Sequence, residues 1–112
     1  MKNNQPVTGQ EYQIRSDAAF ITHTDSKGRI TRANDAFVEA SGFTRDELVG
    51  QSHNVVRHPD MPVEAFRDLW DTLKRGRPWT GLVKNRRKNG DHYWVRANVS
   101  SVEEGYTSVR AK

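Results

Sequence analysis

Residues 79–99 constrain this chain more than any other stretch, because two runs of alternating side chains flank Asn89-Gly90, the strongest short-range hairpin signal. Odd positions in the first run are Trp79, Gly81, Val83 and Asn85; in the second they are Tyr93, Val95, Ala97 and Val99. Their even neighbours, among them Thr80, Lys84, Arg86, His92, Arg96 and Asn98, are more polar, although Leu82 and Trp94 also fall there. Bringing both apolar sets to one face requires odd to lie opposite odd, for example Arg87 opposite Asp91. That register leaves a three-residue loop with Gly90 in the left-handed region, whereas a two-residue turn at Asn89-Gly90 would mix the faces. Asn85 is then the polar exception on a buried face.

The rest of the chain supplies partners for that hairpin. Residues 18–25 and 29–33 read as two strands around the turn Asp25-Ser26-Lys27-Gly28. Asn34 and Asp35 cap a short helix over 36–40 that stops at Ser41-Gly42, and Thr44 with Glu47 forms the capping box of a second, ended by Gly50. After an irregular stretch over 51–60, Phe66, Leu69, Trp70 and Leu73 fall at i, i+3, i+4 and i+7, the stripe of an amphipathic helix. Pro62 fits its first turn, Lys74 and Arg75 its last, and Gly76 ends it. A final strand over 106–111 carries Thr107, Val109 and Ala111 on one side. Two strands, several helices and three strands make an α+β domain: a five-stranded antiparallel sheet with its helices on one face and room for a pocket between the layers. The domain is expected over 18–112. Residues 1–17, polar and aperiodic with Pro6 and Gly9, are expected to form a mobile or loosely docked N-terminal cap.

Composition narrows the chemistry. The chain has 112 residues and no cysteine, which removes disulfides, thiolate metal sites and Cys nucleophiles together. No run is apolar enough to insert in a membrane, and the first residues lack the apolar core of a secretory signal. The net charge is +4, and its densest cluster, Lys84, Arg86, Arg87 and Lys88, lies at the hairpin tip. With no row of aromatic side chains for base stacking, the cluster reads as a solvated turn and not a nucleic-acid surface. No Gly-x-Ser-x-Gly, catalytic triad or phosphate-cradling loop is present, so no enzyme is expected.

What remains is binding chemistry around the expected pocket: Asn34 at a helix start, His53, Asn54, Arg57, His58 and Asp60 in the irregular stretch, and Asn85 on the hairpin. A buried carboxamide has two donors and two acceptor lone pairs, which suits the lactam-like edge of a flavin or another heterocycle. Trp70 and Trp79 can wall such a ring, and Arg57 can meet a phosphate or carboxylate. Each has a plainer alternative: Asn34 and Asp60 as helix caps, Trp70 as core. His53 and His58 lack a third ligand for zinc, while haem held by one His stays open.

Two long runs carry a resemblance. Asn34-Asp35-Ala36-Phe37, Ser41-Gly42-Phe43-Thr44 and Glu47-Leu48-Val49-Gly50 resemble a PAS domain. The run from His53-Asn54-Val55-Val56-Arg57-His58 to Pro62, and that from Lys84-Asn85-Arg86-Arg87 to Asn98, are similar to bacterial aerotaxis receptors. The resemblance implies a PAS domain that holds FAD non-covalently and senses oxygen through the flavin's redox state. It also implies a cytoplasmic domain of a membrane-anchored receptor that signals to the receptor's own transducing region, as a homo-oligomer, to control a chemotaxis kinase. The cofactor is then expected near Asn34, His53, Arg57, His58, Asp60, Trp79 and Asn85, with Trp70 as a further wall. Asn85 matches the strand position from which flavin-binding PAS domains address the isoalloxazine edge. The second-strand counterpart is Val95, where blue-light flavin domains commonly have Asn, and without Cys their cysteinyl adduct cannot form. The connection over 99–105 is a handful of residues shorter than the family's hairpin: either the last strands join tightly through a loop over 101–105, or a stretch is absent. A haem-binding PAS sensor and a cofactor-free interaction module are the alternatives.

Overall fold

The computed structural model describes residues 6–112 and contains one five-stranded sheet, all antiparallel, in the order β2-β1-β5-β4-β3. Its strands are β1 (Ala19–Asp25), β2 (Ile30–Ala33), β3 (Trp79–Arg86), β4 (His92–Val102) and β5 (Gly105–Ala111). The helices α1 (Asp35–Ser41), α2 (Arg45–Leu48) and α3 (Val63–Lys74) lie between β2 and β3 in the chain.

The β3–β4 register is the one that side-chain alternation requires. Val83 lies opposite Val95 and Asn85 opposite Tyr93, and the Arg87 amide donates to the Asp91 carbonyl at 2.7 Å. Gly90 closes the loop at φ +102°, where a side chain would be strained. Trp79, Val83, Asn85, Tyr93, Val95, Ala97 and Val99 are buried, whereas Leu82 and Trp94 are exposed on the opposite face.

The last strand presents the other face from the one expected to matter. β4 continues to Val102, a two-residue turn at Glu103-Glu104 follows, and Val102 pairs with Gly105. The strands are therefore joined even more tightly than a loop over 101–105. Across this turn odd pairs with even, so buried Val99 lies opposite Ser108. Ser108 and Arg110 are buried with half-buried Tyr106 on the same alternation, while Val109 and Ala111 are exposed. The inner surface of β5 is consequently polar.

Side chains fix the helical layer locally. Asn34 Oδ1 accepts from the Phe37 and Ile21 amides, both at 3.1 Å, and its Nδ2 donates to the Ala19 carbonyl at 2.8 Å. One carboxamide thus caps α1 and ties it to β1. Thr44 and Glu47 form the expected reciprocal capping box on α2. The stretch expected to be irregular contains a 3-10 turn, His53–Val56, capped by Ser52. Pro62 is the N-cap residue of α3 and not part of its first turn, and no side chain caps that helix, Asp60 included. Phe20, Ile30, Phe37, Leu48, Val56, Leu69, Leu73, Tyr93 and Val95 form the core between the layers.

The N-terminal segment closes a gap in the sheet. β5 ends opposite Arg96, which leaves the edge of β4 open at its start. The His92 amide donates to the Gln10 carbonyl at 2.9 Å, and the Tyr12 amide to the His92 carbonyl at 2.7 Å, a parallel bridge to that edge. Arg86 Nε donates to the Pro6 carbonyl at 2.7 Å. Within the cap expected over 1–17, residues 1–5 lie outside the described residues.

Candidate functional site

A cavity of about 340 Å³ lies between the sheet and the helical layer. Val83 and Asn85 of β3, Val99 of β4, and Tyr106, Ser108 and Arg110 of β5 form its sheet wall. Facing them are Gly28, His53, Asn54, Arg57, Phe66, Leu69 and Trp70. The arrangement is that of a small-molecule pocket: mainly apolar walls with a few convergent polar groups.

The polar groups of the sheet wall are buried. Asn85 is 1% exposed; its Oδ1 accepts from Arg110 Nη1 at 3.3 Å, while its buried Nδ2 has no hydrogen-bond partner. Arg110 Nε donates to Ser108 Oγ at 2.9 Å. Arg110 forms no salt bridge among the described residues, and burial lowers its pKa to about 10. Tyr93 Oη, also buried, approaches the Asn85 amide without reaching hydrogen-bond geometry, and burial pushes its pKa up to about 12. A cation and an amide donor thus line the cavity side by side, and a buried donor left without an acceptor costs about 1–3 kcal/mol.

The opposite wall is more aromatic. His53 lies 3.1 Å from Thr22 Oγ1 through Nε2 and packs against Phe37, ring centroids 5.7 Å apart. It is half-buried by area, opening onto the cavity, yet densely surrounded by protein; burial, then the Arg110 charge, lowers its pKa to about 3. The imidazole is neutral at neutral pH. Arg57 donates through Nη2 to the Met61 carbonyl and lies 5.5 Å from the Phe66 ring centre. A backbone bridge between Arg57 and Asn85 draws this loop onto β3. Trp70 meets Tyr106 edge to face at 5.1 Å.

The structure therefore brings His53, Arg57, Trp70 and Asn85 together on one cavity and places Asn34, His58, Asp60 and Trp79 outside its lining. Asn34 serves the start of α1. Trp79 is core: its Nε1 donates to Asp68 Oδ2 at 2.9 Å, and its ring lies beside Gly81. His58 is 1% exposed; its Nδ1 accepts from the Asp60 amide at 3.0 Å and its ring meets His92 edge to face. Burial first, then the Lys84 charge, lowers its pKa. Asp60 is a surface residue bonded to Lys84 Nζ at 2.9 Å, and that bond lowers its pKa. No group of three His, Asp or Glu able to hold a metal occurs among the described residues. Sequence reasoning missed Ser108 and Arg110. Once the turn is known to have two residues, β4's alternation carried across it turns both inward.

The residues fit a flat heterocycle with acceptors along one edge. Asn85 Nδ2 and the Arg110 guanidinium can address that edge, and Leu69, Trp70, Val83 and Val99 can cover its faces.

Known proteins bear on this geometry. The model of a family described as PAS fold matches residues 30–110. An aerotaxis receptor from Escherichia coli is 55% identical over 117 aligned residues, covering all of this chain and 23% of the receptor. A nitrogen fixation regulatory protein from Klebsiella pneumoniae is 30% identical over 80% of this chain and 18% of its own length. The chain thus spans a quarter or less of these relatives. Among solved structures, the PAS domain of a protein from Colwellia psychrerythraea superposes with a TM-score of 0.76 at 20% identity, covering 84% of this chain and 85% of that one. At that identity the likeness concerns the fold. The chain belongs to the PAS family, and its whole length is akin to part of an aerotaxis receptor.

Proposed function

We propose that this PAS domain holds FAD non-covalently in the cavity between sheet and helices and acts as a redox and oxygen sensor rather than an enzyme. One observation carries the reading: among the described residues, buried Asn85 Nδ2 has no acceptor and buried Arg110 beside it has no carboxylate. Both deficits are relieved by the carbonyl-rich edge of an isoalloxazine ring. A flavin supplies reversible electron transfer at that position when bound. Asn85, Arg110 and Ser108 orient its polar edge, Trp70 and the aliphatic walls exclude water, and His53 stays uncharged beside it.

For such a site to signal, its residues must interact differently with the oxidised and reduced ring, since equal affinity for both shifts nothing. Arg110 meets that requirement because a buried cation responds strongly to charge added within a few ångströms. It stands on β5, between β1 and β4, so a change in its hold acts on the middle of the sheet. The outer face, with Leu82 and Trp94, offers that change to a partner. The partner in this reading is the transducing region of the same receptor, a homo-oligomer anchored in the membrane with this domain in the cytoplasm and residues 1–17 as its cap. The aerotaxis receptor relative, much longer than this chain, supports that context.

The test is a visible spectrum of the purified protein under air and after anaerobic reduction, with FAD titrated into any apo fraction. Flavin bands at one equivalent per chain, bleached on reduction and lost in Asn85→Ala, are expected. A protein that takes up no FAD overturns the reading: a Soret band instead would identify a haem sensor, and no visible band at all an interaction module.

A further inference from the structure

His58 is a buried titratable group that does not line the cavity. Its Nδ1 accepts from the Asp60 amide at 3.0 Å. An amide can only donate, so the proton of the neutral ring is on Nε2. Among the described residues that Nε2 is buried without a hydrogen-bond partner, and the ring meets His92 edge to face, centroids 6.0 Å apart. Among the same residues, the charged and titratable groups acting on His58 are Asp60 of its own loop, Lys84 and Arg86 of β3 and His92 of β4. Asp60 is engaged twice over: its Oδ2 holds Lys84 Nζ at 2.9 Å and lies 3.7 Å from His58 Nδ1. A second proton can enter the ring only at Nδ1, the atom that the Asp60 amide occupies, and two N–H groups cannot share that position. The amide bond therefore breaks on protonation, and the Asp60 carboxylate is within reach as acceptor for the new Nδ1–H. The Lys84 bond lowers the pKa of Asp60, so the carboxylate stays ionised throughout. Burial, then the Lys84 charge, lowers that of His58, so the ring is neutral at neutral pH and the change falls on the acid side of 6.5.

We propose that His58 and Asp60 form a proton-operated latch. In the neutral state Asp60 bonds His58 through its amide and Lys84 through its carboxylate; in the protonated state the carboxylate turns to His58 and releases Lys84. The latch has two outputs. Inward, the 58–61 turn is closed by the Met61 amide donating to the His58 carbonyl at 3.0 Å, and the Met61 carbonyl holds Arg57 of the cavity wall. Remaking that turn moves the cavity lining. Outward, Lys84 Nζ lies 5.9 Å from the centre of the Trp94 ring on the exposed face, so its release changes the charge there. Acid is thus a second input to the domain, independent of what fills the cavity, and it acts through one local charge change on an element with two bonding arrangements.

The experiment records imidazole nitrogen spectra of the purified protein from about pH 7.5 to about 4.5, with the Asp60 amide, Arg57 side-chain and Trp94 indole signals followed in parallel. His53, with a pKa of about 3, stays neutral over that range and does not confuse the reading. At neutral pH His58 is expected in the Nε2–H form, with one midpoint below 6.5 that the other three signals share. Asp60→Asn should lower that midpoint by about half a pH unit or more and abolish the Trp94 transition, because no carboxylate is left to change partners. Lys84→Met removes a like charge and should raise it. Circular dichroism verifies the fold of each variant, and the wild-type titration decides alone where one fails to fold. An Nδ1–H ring at neutral pH, a ring that stays neutral across the whole range, or a midpoint that the Asp60 amide does not follow overturns the latch. So does a shift in the same direction in both variants. None of these results touches the flavin reading, which is tested by cofactor uptake.

Discussion

The two walls of the cavity are built differently. The sheet wall takes Asn85, Ser108 and Arg110 from hydrogen-bonded strands, where register fixes each side chain's direction and all three are buried. The helical wall takes His53, Arg57, Phe66 and Trp70 from a 3-10 turn, its flank and one helix, and three of these four are only half-buried. The fully buried carboxamide, hydroxyl and one guanidinium are carried by paired strands, whereas the aromatic cover comes from a 3-10 turn and one helix. Such a division suits a site that must keep donors aimed while admitting a ligand.

The sharpest way to break the comparison is to add one methyl group to a glycine at each wall. At Gly105, the first residue of β5, a Cβ would collide with the Thr24 carbonyl oxygen and come within 2.8 Å of the Asp25 carbonyl carbon. Neither backbone atom can yield without parting β1 from β5. Gly105→Ala is expected to cost about 3 kcal/mol or more in urea unfolding. At Gly28, facing the helical wall, a Cβ meets only Trp70 at 3.9 Å, and the penalty is the left-handed backbone at φ +80°. Gly28→Ala should cost about 1 kcal/mol. Equal losses would mean that the walls are equally yielding.

Acid tests the link between the walls, because His53 on one is kept neutral partly by Arg110 on the other. The folded-state pKa, about 3, is below the ordinary 6.5. Between those values the unfolded chain binds a proton that the folded chain refuses, so stability is full above pH 6.5 and declines as pH falls toward 3. Wild type should lose about 1 kcal/mol per pH unit between pH 6 and 4 relative to His53→Asn, read from urea midpoints. Parallel profiles would show that the imidazole takes up its proton without leaving its place.

Arg110 sharpens the sheet-wall side. Among the described residues this buried cation has no carboxylate and two neutral acceptors, Ser108 and Asn85, so the ligand-free domain carries its desolvation cost. Arg110→Met should stabilise the ligand-free protein by about 1–2 kcal/mol while weakening FAD binding. Denaturation without ligand, set beside FAD titration, separates the two effects. A variant less stable than wild type would mean that those hydrogen bonds outweigh desolvation.

The same contrast explains what the sequence made legible. The β3–β4 register, and with it the burial of Asn85, follows from alternation on two long strands around an unambiguous Gly90 loop. The amphipathic stripe of α3 and the capping box of α2 are likewise local signals. The inward face of β5 depends on a turn whose length Glu103-Glu104 does not advertise, and one residue more would have reversed it. Arg110 also runs against the expectation that charged side chains point to water. Chemical suitability put Trp79, His58, Asp60 and Asn34 at the pocket, but packing assigned them elsewhere: core, a buried histidine pair, a surface ion pair and a helix cap.

The smallest expected effect concerns the helical wall itself. Phe66 is half-buried on α3, and the Arg57 guanidinium lies 5.5 Å from its ring centre. Leucine keeps most of the apolar contact but removes the ring's negative face, so Phe66→Leu should lose about 0.5–1 kcal/mol, the range of a partly exposed cation–π pair. A simple loss of packing would give a similar number, and a double-mutant cycle with Arg57→Met distinguishes them. A positive coupling of that size assigns the loss to the pair, whereas additivity within about 0.3 kcal/mol means that the two side chains act independently. In the second case the Arg57 guanidinium gains nothing from the Phe66 ring, and the hold of the helical wall rests on its other contacts, among them the Arg57–Asn85 backbone bridge, the bond from Arg57 to the Met61 carbonyl and the Trp70–Tyr106 pair.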